Sequence, residues 1–314
     1  MATVPAPTTD RRGPASTRLG RLADRWLLPI YVAGVTAYLI LPVAVMILFS
    51  FNDPTGRSNL TWREFSIGAW LNPLGRPGLS DAVRNSIFVA LASTVVATTF
   101  GTMIGLALAR YSFRGRAATN LLVFLPMSTP EIVLGASLLT TFVASVSLPV
   151  PQGVVFPLSI RTILIAHIMF NISYVVVTVR ARLDGFDRHL EEAAMDLGAN
   201  ELTTFWKVTF PIILPGILAA ALLAFSLSID DYVITSFTAG RTSTFPIFIW
   251  GSARIGVPVQ VNVIGTAFFL IAVGFVALTT ILQGRANRPP KPEKSRPPRA
   301  VPAPEATLAP APEA

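Results

Sequence analysis

The 314-residue sequence predicts an all-α membrane protein of six transmembrane helices with both termini in the cytoplasm. Three observations lead there. Only 13% of the residues are charged, while 52% are hydrophobic; a soluble domain carries roughly a quarter charged residues. The deficit is concentrated in six apolar runs, each near the roughly 20 residues that a helix needs to cross a bilayer of about 30 Å. Lys and Arg are shared unequally among the segments between those runs, which is how a membrane protein encodes its orientation.

The runs lie at residues 26–51, 85–109, 117–148, 162–179, 211–237 and 261–282. All should be helical, because lipid cannot satisfy an open sheet edge. The first run follows Arg11, Arg12, Arg18, Arg21 and Arg25 and so imitates a signal peptide. It is too long for a signal core and no small-residue cleavage site follows, so it reads as an uncleaved span. Arg84 and Arg110 bracket the second run, and Arg161 and Arg180 the fourth. Pro126 and Pro130 interrupt the third.

With both ends inside, 18 of the 25 Lys and Arg fall on inner segments. The outer segments hold Arg57, Arg63, Arg76, Arg84, Arg161, Arg241 and Arg254. The formal charge of +8 is therefore a topology signal and does not point to nucleic acid. Residues 1–25 read as a disordered cytoplasmic segment, 26–284 as the membrane domain and 285–314 as a disordered tail. That tail has nine prolines in its last 26 residues and too little apolar surface to fold. The long outer segments, 52–84 and 239–260, either connect spans passively or receive an extracytoplasmic partner. The first has room for a short interfacial helix.

The inner segment 181–210 is patterned as more than a connector. Leu190, Ala193, Ala194 and Leu197 recur at helical spacing. Glu191 and Glu192 fall in the first turn, where carboxylates suit the helix dipole. Gly198 suits the C-terminal cap, and Asn200 can cap a second short helix carrying Leu202, Phe205 and Trp206. A helix lying on anionic lipid would want a basic polar face. Here that face carries Glu191, Glu192 and Asp196, so docking into a protein groove fits better.

Glu192-Ala193-Ala194, three residues, Gly198, nine residues, then Val208-Thr209-Phe210-Pro211 resembles the EAA loop of ABC importer permeases. That family's pattern ends in Ile-x-Leu-Pro, so Val208 and Phe210 are the departures. The resemblance implies a type I importer permease fold with five core helices and an extra N-terminal one, in the bacterial inner membrane. It implies that Glu192, Ala193, Ala194, Leu197 and Gly198 form a coupling helix seated on a dimer of cytoplasmic ATP-binding subunits. It also implies a second homologous permease and an extracytoplasmic solute-binding protein. The stretch Ser226–Gly240, followed by Phe245-Pro246 and by Gly256-Val257-Pro258 up to Asn262, is similar to the second permease of spermidine/putrescine importers. The proline of the last element stands one place early.

Three acids lie within or beside spans: Glu131, Asp230 and Asp231. Ionisable groups there are costly and usually face a pathway or a partner. One reading has these carboxylates attract a cationic solute. The other has Asp230 and Asp231 cap a helix end or meet an arginine such as Arg241. Prolines 126 and 130 free backbone carbonyls that either line a cavity or merely accompany a kink. His167, with Asn171 and Ser173, reads as an interhelical hydrogen-bonding cluster and not as a metal ligand.

The chain has no cysteine, which excludes disulfides and thiolate metal sites. No spacing of His and acids suggests a metal, and no cofactor is expected. A phosphate loop with Lys and Ser/Thr is lacking, so the driving ATPase is another polypeptide. Two competitors remain: an ion-coupled secondary transporter, which should show two repeated halves, and a membrane protease, which should show a Ser/His pair or His-Glu-x-x-His. Neither pattern is found. Within the transporter class, an amino-acid derivative or iron is the alternative solute.

Overall fold

The computed structural model describes residues 18–147 and 156–286. The Pro-rich tail and most of the N-terminal segment lie outside the described residues. Every regular element among the described residues is helical, apart from one isolated bridge between Asn52 and Phe65. The chain divides into two units, residues 1–266 and 267–314.

Helix α1 (Arg18–Phe49) begins before the first apolar run, so the segment read as disordered is helical from Arg18. Its apolar part, Trp26–Phe49, buries essentially nothing within the chain. The loop after it is tied down by amides: Asn52 Nδ2 donates to Asn59 Oδ1 at 2.6 Å, and Asn59 Nδ2 to the Phe49 carbonyl at 2.7 Å. Trp70, in the short α2 (Gly68–Leu71), stacks on Phe51. This α2 is the short outer helix that the composition of 52–84 suggests.

The core is built from α3 (Leu79–Arg110), α6 (Ile160–Asp184) and α9 (Phe210–Ile229). All three belong to segments long and apolar enough to cross a bilayer. Ala97, Val175, Val179, Leu183, Ile213, Ala220 and Ala224 make their common buried cluster. In lipid no hydrophobic force draws helices together, so close packing of small residues does that work. Gly101 of α3 is the closest approach: a Cβ there would lie 2.6 Å from Val175 Cγ1 and 3.2 Å from the Ile172 carbonyl of α6. Gly101→Leu is therefore expected to push α3 off α6 and destabilise the solubilised chain by about 1–3 kcal/mol, read as a lower melting temperature. Gly34→Leu is the control, because a Cβ at that α1 position meets no atom within 4 Å.

Helix α6 starts with a capping box: Ser159 Oγ accepts from Arg161 N, and Thr162 Oγ1 accepts from Ser159 N at 2.7 Å. Two predicted spans change form. The third is not one helix but a pair, α4 (Arg116–Ser128) and α5 (Glu131–Ser147), bent by 110°. Pro130 cannot donate to the carbonyl four residues back, so the helix stops and restarts. Such a pair is either a broken span or a re-entrant loop. The fifth span does not reach residue 237. It ends at Ile229, and α10 (Val233–Thr238) follows as a separate short helix. The outer segment 239–260 holds a further helix, α11 (Phe245–Ile255), before α12 (Val259–Ala286). Among the described residues, four helices thus have spanning length and polarity, and the bent pair is a fifth candidate.

Candidate functional site

The inner segment folds as helix, glycine turn, helix. Helix α7 (His189–Asp196) carries both glutamates in its first turn. Asp187 prepares its start, accepting from the His189 backbone N–H at 3.0 Å and pairing with its imidazole at 2.7 Å. That hydrogen bond holds the Asp187 carboxyl below, and the His189 imidazole above, their ordinary pKa values. Both groups face water, so the pair contributes little to stability.

At the other end, Gly198 N–H reaches the Met195 carbonyl at 2.9 Å and Ala199 N–H reaches that of Ala194 at 3.1 Å. This is a Schellman closure, and Gly198 takes its left-handed position with φ +89°. Asn200 Oδ1 then accepts from Thr203 N at 2.8 Å and caps α8 (Glu201–Thr204). The second helix, which the sequence predicts as a short helix of its own carrying Leu202, Phe205 and Trp206, is not free-standing. It passes through a π-helical turn, Phe205–Thr209, directly into α9.

No residue of α7 is buried. Leu197 is 91% exposed, and Leu190 and Met195 are roughly half exposed. Among the described residues, the apolar stripe is therefore left largely uncovered. Glu192, Ala193 and Gly198 are exposed and Ala194 is half-buried.

Glu191 behaves differently, which corrects its expected position on the polar outer face. Its side chain is only 14% exposed. Its carboxylate pairs with Arg110, the last residue of α3, and accepts from the hydroxyl of Thr209, the last residue of the π turn. Arg188 adds a bond from its guanidinium to the Ala109 carbonyl at 3.0 Å. The inner loop is thus latched to α3 twice and to the foot of α9 once.

Of the three acids, the structure separates Asp231 from the others. Its side chain is 6% exposed. It accepts from the backbone N–H groups of Ile234 at 3.3 Å and Thr235 at 2.8 Å, and from the Thr235 hydroxyl at 2.7 Å. His167 Nε2 lies 3.4 Å away. Asp231 is therefore the cap of α10, and its contact is His167, not Arg241. The imidazole continues inward: Nδ1 meets Ser228 Oγ at 2.6 Å, and Ser228 meets Ser93 Oγ at 3.0 Å. Asn171 Nδ2 closes on Ser93 at 3.4 Å. One buried polar chain thus joins α3, α6, α9 and α10, in keeping with the interhelical role read for His167. Ser173 is buried too but makes none of these bonds.

Asp230 is exposed at the C-terminal end of α9, where the helix dipole disfavours a carboxylate. None of the ion pairs among the described residues involves it. Glu131 is exposed in the first turn of α5. It lines a cavity of about 280 Å³ together with Pro126–Pro130, Phe170, Tyr174 and Ile234. The break between α4 and α5 forms one wall of this cavity, and the edge-to-face pair Phe170–Tyr174, centroids 5.3 Å apart, forms another. Arg241 and Arg254 instead line a separate cavity of about 400 Å³ beside the stacked rings of Tyr232 and Trp250. Among the described residues, no cluster of His, Cys, Asp and Glu has a metal-binding arrangement.

Residues 97–288 match the family model of the binding-protein-dependent transport system inner membrane component. The spermidine/putrescine transport system permease protein PotC of Haemophilus influenzae is 34% identical over 254 residues, covering 81% of this chain and 95% of that protein. The putrescine transport system permease protein PotI of Escherichia coli is 34% identical over 269 residues, covering 84% and 92%. A bacterial ABC transporter involved in import of the acidic polysaccharide alginate has a chain of the same fold, with TM-score 0.63 at 15% identity, covering 87% of this chain and all of that one. The matched length, the identity to two permeases and the shared fold make the chain a member of the binding-protein-dependent transport system inner membrane component family.

Proposed function

We propose that the chain is the permease subunit of an ATP-driven importer of a small cationic solute, most simply a polyamine such as putrescine or spermidine. In this reading six spans cross the inner membrane with both termini in the cytoplasm, α12 being the sixth. Residues 181–210 form the coupling loop. A separate ATPase dimer hydrolyses ATP, a second related permease completes the path, and a solute-binding protein delivers from outside. The chain itself catalyses nothing. The observation that carries the reading is the bare apolar stripe of α7, closed by Gly198 and presented to a partner together with Glu192, Ala193, Ala194 and Leu197. The family and its polyamine permeases support the solute class.

In the cycle, closure of the ATPase dimer draws on α7 and the spans open outward. The delivered cation then meets carboxylates in turn. Asp230 is exposed and enters none of the ion pairs among the described residues; Glu131 stands in the cavity at the break, with the Pro126 carbonyl that Pro130 cannot serve and the rings of Phe170 and Tyr174. Carbonyls, a carboxylate and aromatic faces all favour an ammonium group. Asp231 is withdrawn from this set, because its oxygens are already committed to α10 and His167.

Labelled putrescine uptake into proteoliposomes holding the whole importer tests the reading. Uptake is expected to require ATP and the binding protein. Asp230→Asn and Glu131→Gln should each reduce it about tenfold or more, from loss of one charge interaction of about 1.4 kcal/mol or above, without lowering the melting temperature. Uptake unchanged in both variants would remove the carboxylates from the path. Transport driven by an ion gradient without ATP would favour the secondary-transporter alternative.

A further inference from the structure

We infer that Glu191 is the joint by which movement of the inner loop reaches the spans, a positioning role distinct from that of its exposed neighbour Glu192. The inference rests on the importer reading for the direction of the movement, and on the geometry for the joint.

Helix α7 has no buried residue, so apolar packing among the described residues anchors it only weakly to the membrane domain. What fastens it is polar and local. Glu191 takes Arg110 from the end of α3 and Thr209 from the start of α9, so one carboxylate bridges three elements. Its 14% exposure and the 24% of Arg110 keep water from competing freely for those bonds. Charge-assisted bonds of this kind are the stronger and more directional class. The Arg110 guanidinium also lies over the Phe186 ring, 6.0 Å from its centroid, which restricts its swing. A pull on α7 therefore arrives at the inner ends of α3 and α9 together.

The π-helical turn strengthens this assignment. Phe205–Thr209 inserts one extra residue per turn just before α9, and the Phe210 N–H closes on the Phe205 carbonyl five residues back. Turns of this type are rare and can shift along a helix, which makes them natural points of yield. Thr209 ends that turn, is fully buried and holds the carboxylate. Glu191 thus grips α9 on the membrane side of the yielding turn. Without it the turn would absorb the displacement.

The absence of native cysteine permits a direct test. Spin labels are placed at Met103→Cys on α3 and Leu202→Cys on α8, both exposed. Their separation is read by pulsed electron resonance in the assembled importer, nucleotide-free and trapped with ATP and vanadate. The expected result is one unchanged distance in the parent pair, because loop and α3 move as a unit. In Glu191→Gln the trapped state should show a new distance shifted by several Å. ATP hydrolysis should stay within about twofold of the parent and uptake per ATP should fall at least tenfold; Glu191→Asp should restore most of it. Should Glu191→Gln fail to assemble, Thr209→Val is read in its place, since it removes one arm and keeps the ion pair.

An unchanged distance in the variant, or a distance in the parent that already shifts with ATP, would overturn the joint. A parent importer that hydrolyses ATP but does not import putrescine would overturn only the solute assignment, since the distances do not depend on it.

Discussion

Gly198→Asp is expected to abolish ATP-driven uptake while the protein still inserts in the membrane. The residue sits at φ +89°, where a side chain costs about 1–2 kcal/mol. A Cβ there would meet no atom within 4 Å, so the damage is not steric crowding within the chain. Two other effects act. The Schellman closure that ends α7 is strained, and a negative charge is added at a helix C-terminus, which opposes the dipole by about 0.3–1 kcal/mol. That charge also protrudes beside Leu197, on the surface proposed above to meet the ATPase. Gly198→Ala should lower uptake only severalfold, because it strains the turn without adding charge. Glu192→Lys, on the same exposed face, should match the aspartate variant. Uptake measured beside immunoblots of the membrane fraction checks all three, and full uptake in both charged variants would sink the coupling-loop reading.

The second large effect is expected on stability and not on solute recognition. Asp231→Ala should lower the melting temperature of the detergent-solubilised chain by roughly 10 °C. Truncation strands the N–H groups of Ile234 and Thr235 and breaks a buried contact with His167. Leaving a buried donor unsatisfied typically costs about 1–3 kcal/mol, two are stranded here, and each kcal/mol shifts the midpoint by about 2–4 °C in a domain of this size. Asp230→Asn, one residue earlier, should leave the melting temperature unchanged. Adjacent acids then separate cleanly, one holding a helix together and the other exposed and free to serve the proposed solute path. Equal melting temperatures for the two variants would deny Asp231 its structural role.

The parts of this architecture that were legible in the sequence are those with local causes. The second and fourth spans are bracketed by arginines, and their helices contain the predicted runs with a few residues to spare. The turn at Gly198 and the cap at Asn200 follow from residue type and spacing alone. The overrun of the fifth span has a simple origin: Val233, Ile234 and Phe237 carry the uncharged run onward, and only the Asp230-Asp231 pair marks the stop. Helix α11 was hidden inside a segment taken for a loop, although Thr244, Pro246 and Gly256 are start and stop signals. The bend of the third span was signalled by Pro130, but its angle is set by packing. Glu191 could not have been singled out from Glu192. Neighbours on a helix point about 100° apart, and which one turns inward is decided by Arg110, 81 residues earlier in the chain.

The gap between α4 and α5 bears on how tightly the membrane remains sealed. A helix opened at Pro130 leaves the Pro126 carbonyl without its helical donor and sets the carboxylate of Glu131 in a cavity at the break. Across 100 mV a monovalent cation is drawn inward by about 2.3 kcal/mol, and protons, sodium and potassium all outnumber any scavenged nutrient. A chain that keeps such a gap must be stoppered on one side whenever the other is open. Slack in the latch around Glu191 would then show first as potassium leaking through vesicles that transport nothing.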